Sequence, residues 1–136
     1  TKPVPAEKAY IPVFTLHGYG CKFQKLTFAL GQDVKYTALA NDESVQIADR
    51  KGTVNIDIEE PLLSAKNYYQ AVTSHTEGPL ALQHGTVAGN ISQIAAPALQ
   101  LSKPKTASVN NIEHLQWSNA WLNPVSGDDE IVFTIR

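Results

Sequence analysis

The stretch Thr53-Val-Asn-Ile-Asp-Ile-Glu59 constrains the fold more than any other part of the chain. Val54, Ile56 and Ile58 alternate with Asn55, Asp57 and Glu59. A period of two places the apolar side chains on one face of a strand and the polar ones on the other. Alternate carboxylates of this kind mark the wet face of a sheet. Acid–base chemistry by Asp57 with Glu59 and Glu60 would need a pocket that drives their pKa values apart.

Other segments carry the same signal. Leu26, Phe28 and Leu30 alternate with Lys25, Thr27 and Ala29. Gly31-Gln32-Asp33 reads as a hairpin connection to a strand with Val34, Tyr36 and Ala38. Asn41-Asp42-Glu43 is a polar turn before a short strand with Val45 and Ile47, and Arg50-Lys51-Gly52 turns into 53–59. Strands resume at 79–83, 90–101, about 112–121 and 130–136. Parity changes between Ile91 and Leu101, and Pro97 lacks a donor, which implies a bulge or an edge. One helix is expected. Pro61 suits a first helical position, and Glu59 and Glu60 sit favourably before it. Leu62, Ala65, Tyr69 and Val72 form a stripe, with an end near Ser74. The pattern gives a β-rich domain of about eight strands and one helix.

At 136 residues the chain suits one domain, with residues 1–17 as a linker or N-terminal extension and 18–136 as the domain. Within the extension, residues 1–9 are Pro-rich and linker-like. The chain contains no methionine and begins Thr1-Lys-Pro-Val-Pro, which reads as a piece of a longer protein. A net charge of −2 argues against a surface built to grip nucleic acid. A single cysteine, Cys21, excludes an internal disulfide. No run of about 18 apolar residues is present to span a membrane.

The chemical candidates reduce to structural ones. Gly85-Thr-Val-Ala-Gly89-Asn90 lacks the Lys and the following helix of a phosphate loop, so it reads as a turn between strands. His17, His75, His84 and His114 have no metal-ligand spacing with one another or with Cys21. Cys21 has no activating His beside it. Asp128-Asp129-Glu130 reads as a polar turn entering the last strand. Trp117 and Trp121 share parity in a regular strand; two indoles on one face would be a sugar-stacking platform, core, or a subunit contact. No catalytic constellation emerges, and neither a cofactor nor a metal is expected.

Three stretches together resemble the tail tube proteins of long-tailed bacteriophages and their prophage relatives. They are 44–61 (SVQIADRKGTVNIDIEEP), 78–101 with Gly85, Thr86, Gly89, Asn90 and Ala96-Pro97, and the terminal SGDDEIVFTIR with Ile131, Phe133 and Ile135. The similarity runs from about Gly18 to Arg136. It implies a two-sheet β-sandwich or flattened barrel with one flanking α-helix, the tail tube fold, and here the C-terminal domain of a longer chain. It further implies a structural virion protein, not an enzyme, that self-assembles into a ring and tube homo-oligomer. The partners would be itself and other tail proteins, with transient, non-specific passage of DNA. Its place would be the virion tail, and the host cytoplasm during assembly. The loop 102–111 (SKPKTASVNN) departs from the Asp- and Gly-rich turn of the family. Asn55, Asp57 and Glu59 are the lumen-facing candidates. Asp49, Arg50 and Lys51 are candidates for subunit contacts or a solvated turn; Trp117 and Trp121 join them as contact candidates. The alternative function is a carbohydrate-binding β-sandwich on a virion or secreted assembly.

Overall fold

The computed structural model describes Pro5 and residues 7–136; residues 1–4 and Ala6 of the expected linker lie outside the described residues. The strands are β1 (Val13–Leu16), β2 (Tyr19–Gly20), β3 (Phe23–Ala29), β4 (Gln32–Leu39), β5 (Asp42–Arg50) and β6 (Thr53–Glu59). After the helix α1 (Tyr68–Thr73) come β7 (Glu77–His84), β8 (Ser92–Gln100), β9 (Lys105–Val109), β10 (Ile112–Asn123) and β11 (Val132–Ile135). The fold is mainly β, as expected, with one short helix.

A nine-stranded antiparallel sheet has the order β2-β1-β7-β8-β10-β6-β3, with β11 also paired to β8 and β9 to β10. The long strand β10 makes this one sheet into two layers. Its first half pairs with β9 and its end with β8, while β6 follows it along most of its length. One layer is therefore β3–β6–β10–β9 and the other β1–β7–β8–β11. Between them lies one core, in which Leu16, Val54, Ile56, Ile58, Leu99 and Trp117 are buried. The alternation read from 53–59 holds: Val54, Ile56 and Ile58 point inward and Asn55 is exposed.

The β4–β5 hairpin forms a second sheet by itself. Gly31-Gln32-Asp33 does not connect a hairpin between β3 and β4, as the sequence suggested. β3 pairs instead with β6, in a register that runs to Ala29 opposite Thr53. Residues 30–52 leave this ribbon as an arm and return. The arm is pinched at its base, where Lys51 N–H donates to the Gly31 carbonyl at 3.4 Å. Gly31 sits at φ +58°, and a Cβ there would collide with the Lys51 carbonyl.

Three further strands were not expected, one of them the two-residue β2 that pairs with β1. β1 lies within the supposed extension, yet Phe14 and Leu16 are core residues and the strand pairs with β7. β9 lies within the supposed loop 102–111 and joins β10 through Asn110 and Asn111, both at positive φ, the signature of a tight hairpin turn. The glycine turn is the β7–β8 connection, with Gly85 at φ +97°. Pro97 lies at a register shift against β7, between the part of β8 that pairs with β11 and the part that pairs with β10. No neighbouring strand needs its missing donor there.

The helix is shorter than expected and starts later than Pro61. Leu62 to Lys66 form a turn, then Asn67 takes an extended conformation and its Oδ1 accepts from Gln70 N–H at 3.1 Å. This cap sets a new phase, so Tyr68 is the buried aromatic and Tyr69 points outward. The stop falls near Ser74, as expected, with Ser74 as the cap, and Gly78-Pro79 lie beyond it in β7. His75 has φ 52°, and Thr76 N–H reaches back to Ala71 O at 2.9 Å, closing the helix end.

Candidate functional site

The outer face of the β3–β6–β10–β9 layer carries a polar row built by register. Lys25, Asp57, Gln116 and Lys105 stand opposite one another on the four strands. Asp57 is held firmly: His114 Nδ1–H donates to its Oδ1 at 3.0 Å and Gln116 Nε2–H to its Oδ2 at 2.9 Å. Both Asp57 and His114 are mostly buried. Glu59 binds Lys22 Nζ at 3.1 Å. Asn55 Oδ1 accepts from the Asn119 N–H at 2.9 Å. A shallow depression of about 220 Å³ lies over this face, and its lining includes Lys25, Asn55, Asp57 and Gln116. The three lumen-facing candidates thus share a face, and each is already engaged within the chain.

The Asp57–His114 pair was invisible to spacing because its members are far apart in sequence. An Asp that orients an imidazole is half of a catalytic relay, which also needs a nucleophile within reach. Among the described residues, the His114 ring makes no hydrogen bond to a serine, threonine or cysteine. Burial pushes the Cys21 thiol up to about 11, so it stays protonated at neutral pH.

Trp117 and Trp121 do not share a face. The β10–β6 register shifts between Trp117 and Ala120, and Asn119 there has φ 63°. This bulge reverses the parity of everything after it. Trp117 is 1% exposed and packs edge-on against Tyr68 at 5.4 Å, whereas Trp121 is 45% exposed. The platform of two indoles is not formed, and Trp117 is core rather than contact surface. Lys51 Nζ stands 4.3 Å above the Trp121 ring.

Asp49, Arg50 and Lys51 end the arm. The guanidinium of Arg50 donates from Nε and Nη2 to the two carboxylate oxygens of Glu130, at 2.9 and 2.7 Å, and from Nη2 to Asp128 at 2.7 Å. Its pKa is raised, chiefly by Glu130. Asp129 closes its own turn by accepting from Val125 N–H at 2.8 Å. The acidic run 128–130 therefore fastens the base of the arm to the segment before β11.

No family model, curated protein or solved structure matches the chain.

The surface that sequence reading passed over is the arm itself. β4 and β5 pair so that Val34 faces Ile47 and Tyr36 faces Val45. These four share one side of the ribbon, and Lys35, Thr37, Ser44 and Gln46 share the other. The four apolar side chains are 56 to 69% exposed. An isolated two-stranded ribbon is marginal in water, and this one turns a continuous apolar face to solvent. The signal was present in the sequence, since alternation in both strands predicts one apolar face. What it did not disclose is that no second layer among the described residues covers it.

Proposed function

We propose that the chain is a structural module that self-assembles, a domain of a phage or prophage tail tube subunit whose rings stack into a conduit for DNA. The uncovered apolar face of the β4–β5 arm carries this reading. A ribbon with Val34, Tyr36, Val45 and Ile47 in water is costly as an end state and natural as half of an interface. The sequence resemblance supplies the kind of assembly, and the two-layer β architecture is compatible with it.

The polar face around Asp57 suits the wall of such a conduit. DNA carries one charge per about 1.7 Å, so a strongly basic wall would retain it. On this face Asp57 accepts hydrogen bonds from His114 and Gln116, Glu59 is paired with Lys22, and Lys25 and Lys105 are spaced apart by Asp57 and Gln116. Such a surface neither binds DNA tightly nor repels it. This reading uses the Asp57–His114 pair to fix the face, not to transform a substrate.

Negative-stain microscopy of the chain over a concentration series tests the proposal. Rings or tubes are expected, and they should be lost on Tyr36→Ser with Val45→Ser. A chain that stays monomeric at the highest soluble concentration overturns it.

A further inference from the structure

We propose that the β4–β5 arm of one copy docks into an apolar trough beside β3 on the next copy; this rests on the self-assembly reading and names its contact. The trough consists of two adjoining hollows of about 510 and 320 Å³ that share Ile11 and Phe23. Phe14 lines the first, and Leu26, Phe28 and Ile94 line the second. The trough runs along β3, which is the last strand of its sheet and, among the described residues, leaves one edge without a partner strand. The chain's own arm leaves it empty, since the apolar side chains of that arm are exposed.

Two features select the occupant. The first is length: seven residues of β3 extend for about 23 Å and the eight of β4 for about 27 Å, so an arm laid alongside matches the strand. The second is charge. Asp42 and Glu43 stand at the tip of the arm and form no ion pair among the described residues. The first hollow has Lys8 and Lys22 among its lining residues, with Glu7 as its acidic one. Among the described residues Lys22 is paired only with Glu59, at the surface, where such a pair is weak and exchangeable. An acidic tip reaching a mainly basic rim would fix the direction in which the apolar ribbon enters. The arm and the trough are different surfaces of one chain, so each copy can give an arm and receive one. Repetition of that contact closes a ring or extends a fibre.

Directed cross-linking tests the contact. In a Cys21→Ser background, one preparation carries Glu43→Cys and another Lys22→Cys. Mixed and oxidised, they should give a disulfide-linked pair that neither gives alone. Asp42→Lys with Glu43→Lys should weaken assembly at least about tenfold, and adding Lys8→Glu with Lys22→Glu should restore it. Assemblies visible by microscopy without the mixed disulfide, and without rescue by charge exchange, overturn this contact and leave self-assembly standing. Absence of both assemblies and disulfide overturns the two together.

Discussion

The imidazole of His17 donates from Nε2–H to the carbonyl of Leu99 at 2.9 Å, joining the turn after β1 to the end of β8. The ring is buried, and burial lowers its pKa below the usual 6.5, helped by the charge on Lys66 and opposed by the Leu99 bond. The unfolded chain therefore binds a proton on His17 more readily than the folded one. Its contribution to stability is complete above pH 6.5 and is lost as the pH falls from there toward the lowered folded pKa. The urea midpoint should drop between about pH 7.5 and about pH 5.5. In His17→Gln that drop should be smaller, which a pair of denaturation curves will show.

Gly78 lies against the same ring. A Cβ on Gly78 would stand 2.6 Å from His17 Cγ, closer than any side chain tolerates. Gly78→Ala should destabilise the fold by about 1–3 kcal/mol, the usual range for an overpacked core. Combining it with His17→Ala should cost less than the two separate losses added together. Thermal unfolding of the three variants measures the coupling.

The two tryptophans should behave as different probes. Trp117 is core and its Nε1 has no hydrogen-bond partner among the described residues. Trp117→Ala should cost about 3–5 kcal/mol. Trp121→Ala should cost no more than about 1 kcal/mol, the scale of an exposed cation–π contact. In the Trp121→Phe protein the remaining fluorescence should be blue-shifted and protected from acrylamide. In Trp117→Phe the emission should be red-shifted and quenchable.

Asn119 makes the bulge that separates those indoles. Its φ of 63° is accessible to glycine and asparagine and poor for β-branched residues. Asn119→Gly should leave stability nearly unchanged, whereas Asn119→Val should lower it by roughly 1–2 kcal/mol. Asn55→Ala removes the acceptor of the Asn119 N–H and should cost about 1 kcal/mol. Chemical denaturation resolves all three.

What was legible in the sequence was local and periodic. β6 could be read because its three inward residues and its polar ones alternate without interruption. The Gly85 turn could be read because no lysine or helix follows it. β1 was hidden because four residues between Pro12 and His17 are too few to display a period, and β9 because Lys103-Pro104-Lys105 looks like a loop. The adjacent Asn110 and Asn111 between Val109 and Ile112 were the signal for its hairpin. The helix misled because Pro61 and the acidic pair satisfy start rules that Asn67 satisfies again, closer to the residue that is buried. The parity of Trp121 depended on the backbone of Asn119, which no hydrophobic pattern records. Asp57 and His114 meet only because β6 and β10 are neighbours, and the exposure of the arm depends on the absence of a covering layer. Both are properties of topology rather than of any short segment.

The continuity of β10 has a mechanical meaning. Because one strand serves both layers, they are two leaves of a single folded page, with Asn119 beside the crease. They cannot part or slide without tearing the ladder that the end of β10 shares with β8. Tension arriving through the arm at Arg50 would enter beside that ladder and spread across both leaves together. A module built this way yields at its attachments before it yields in its body.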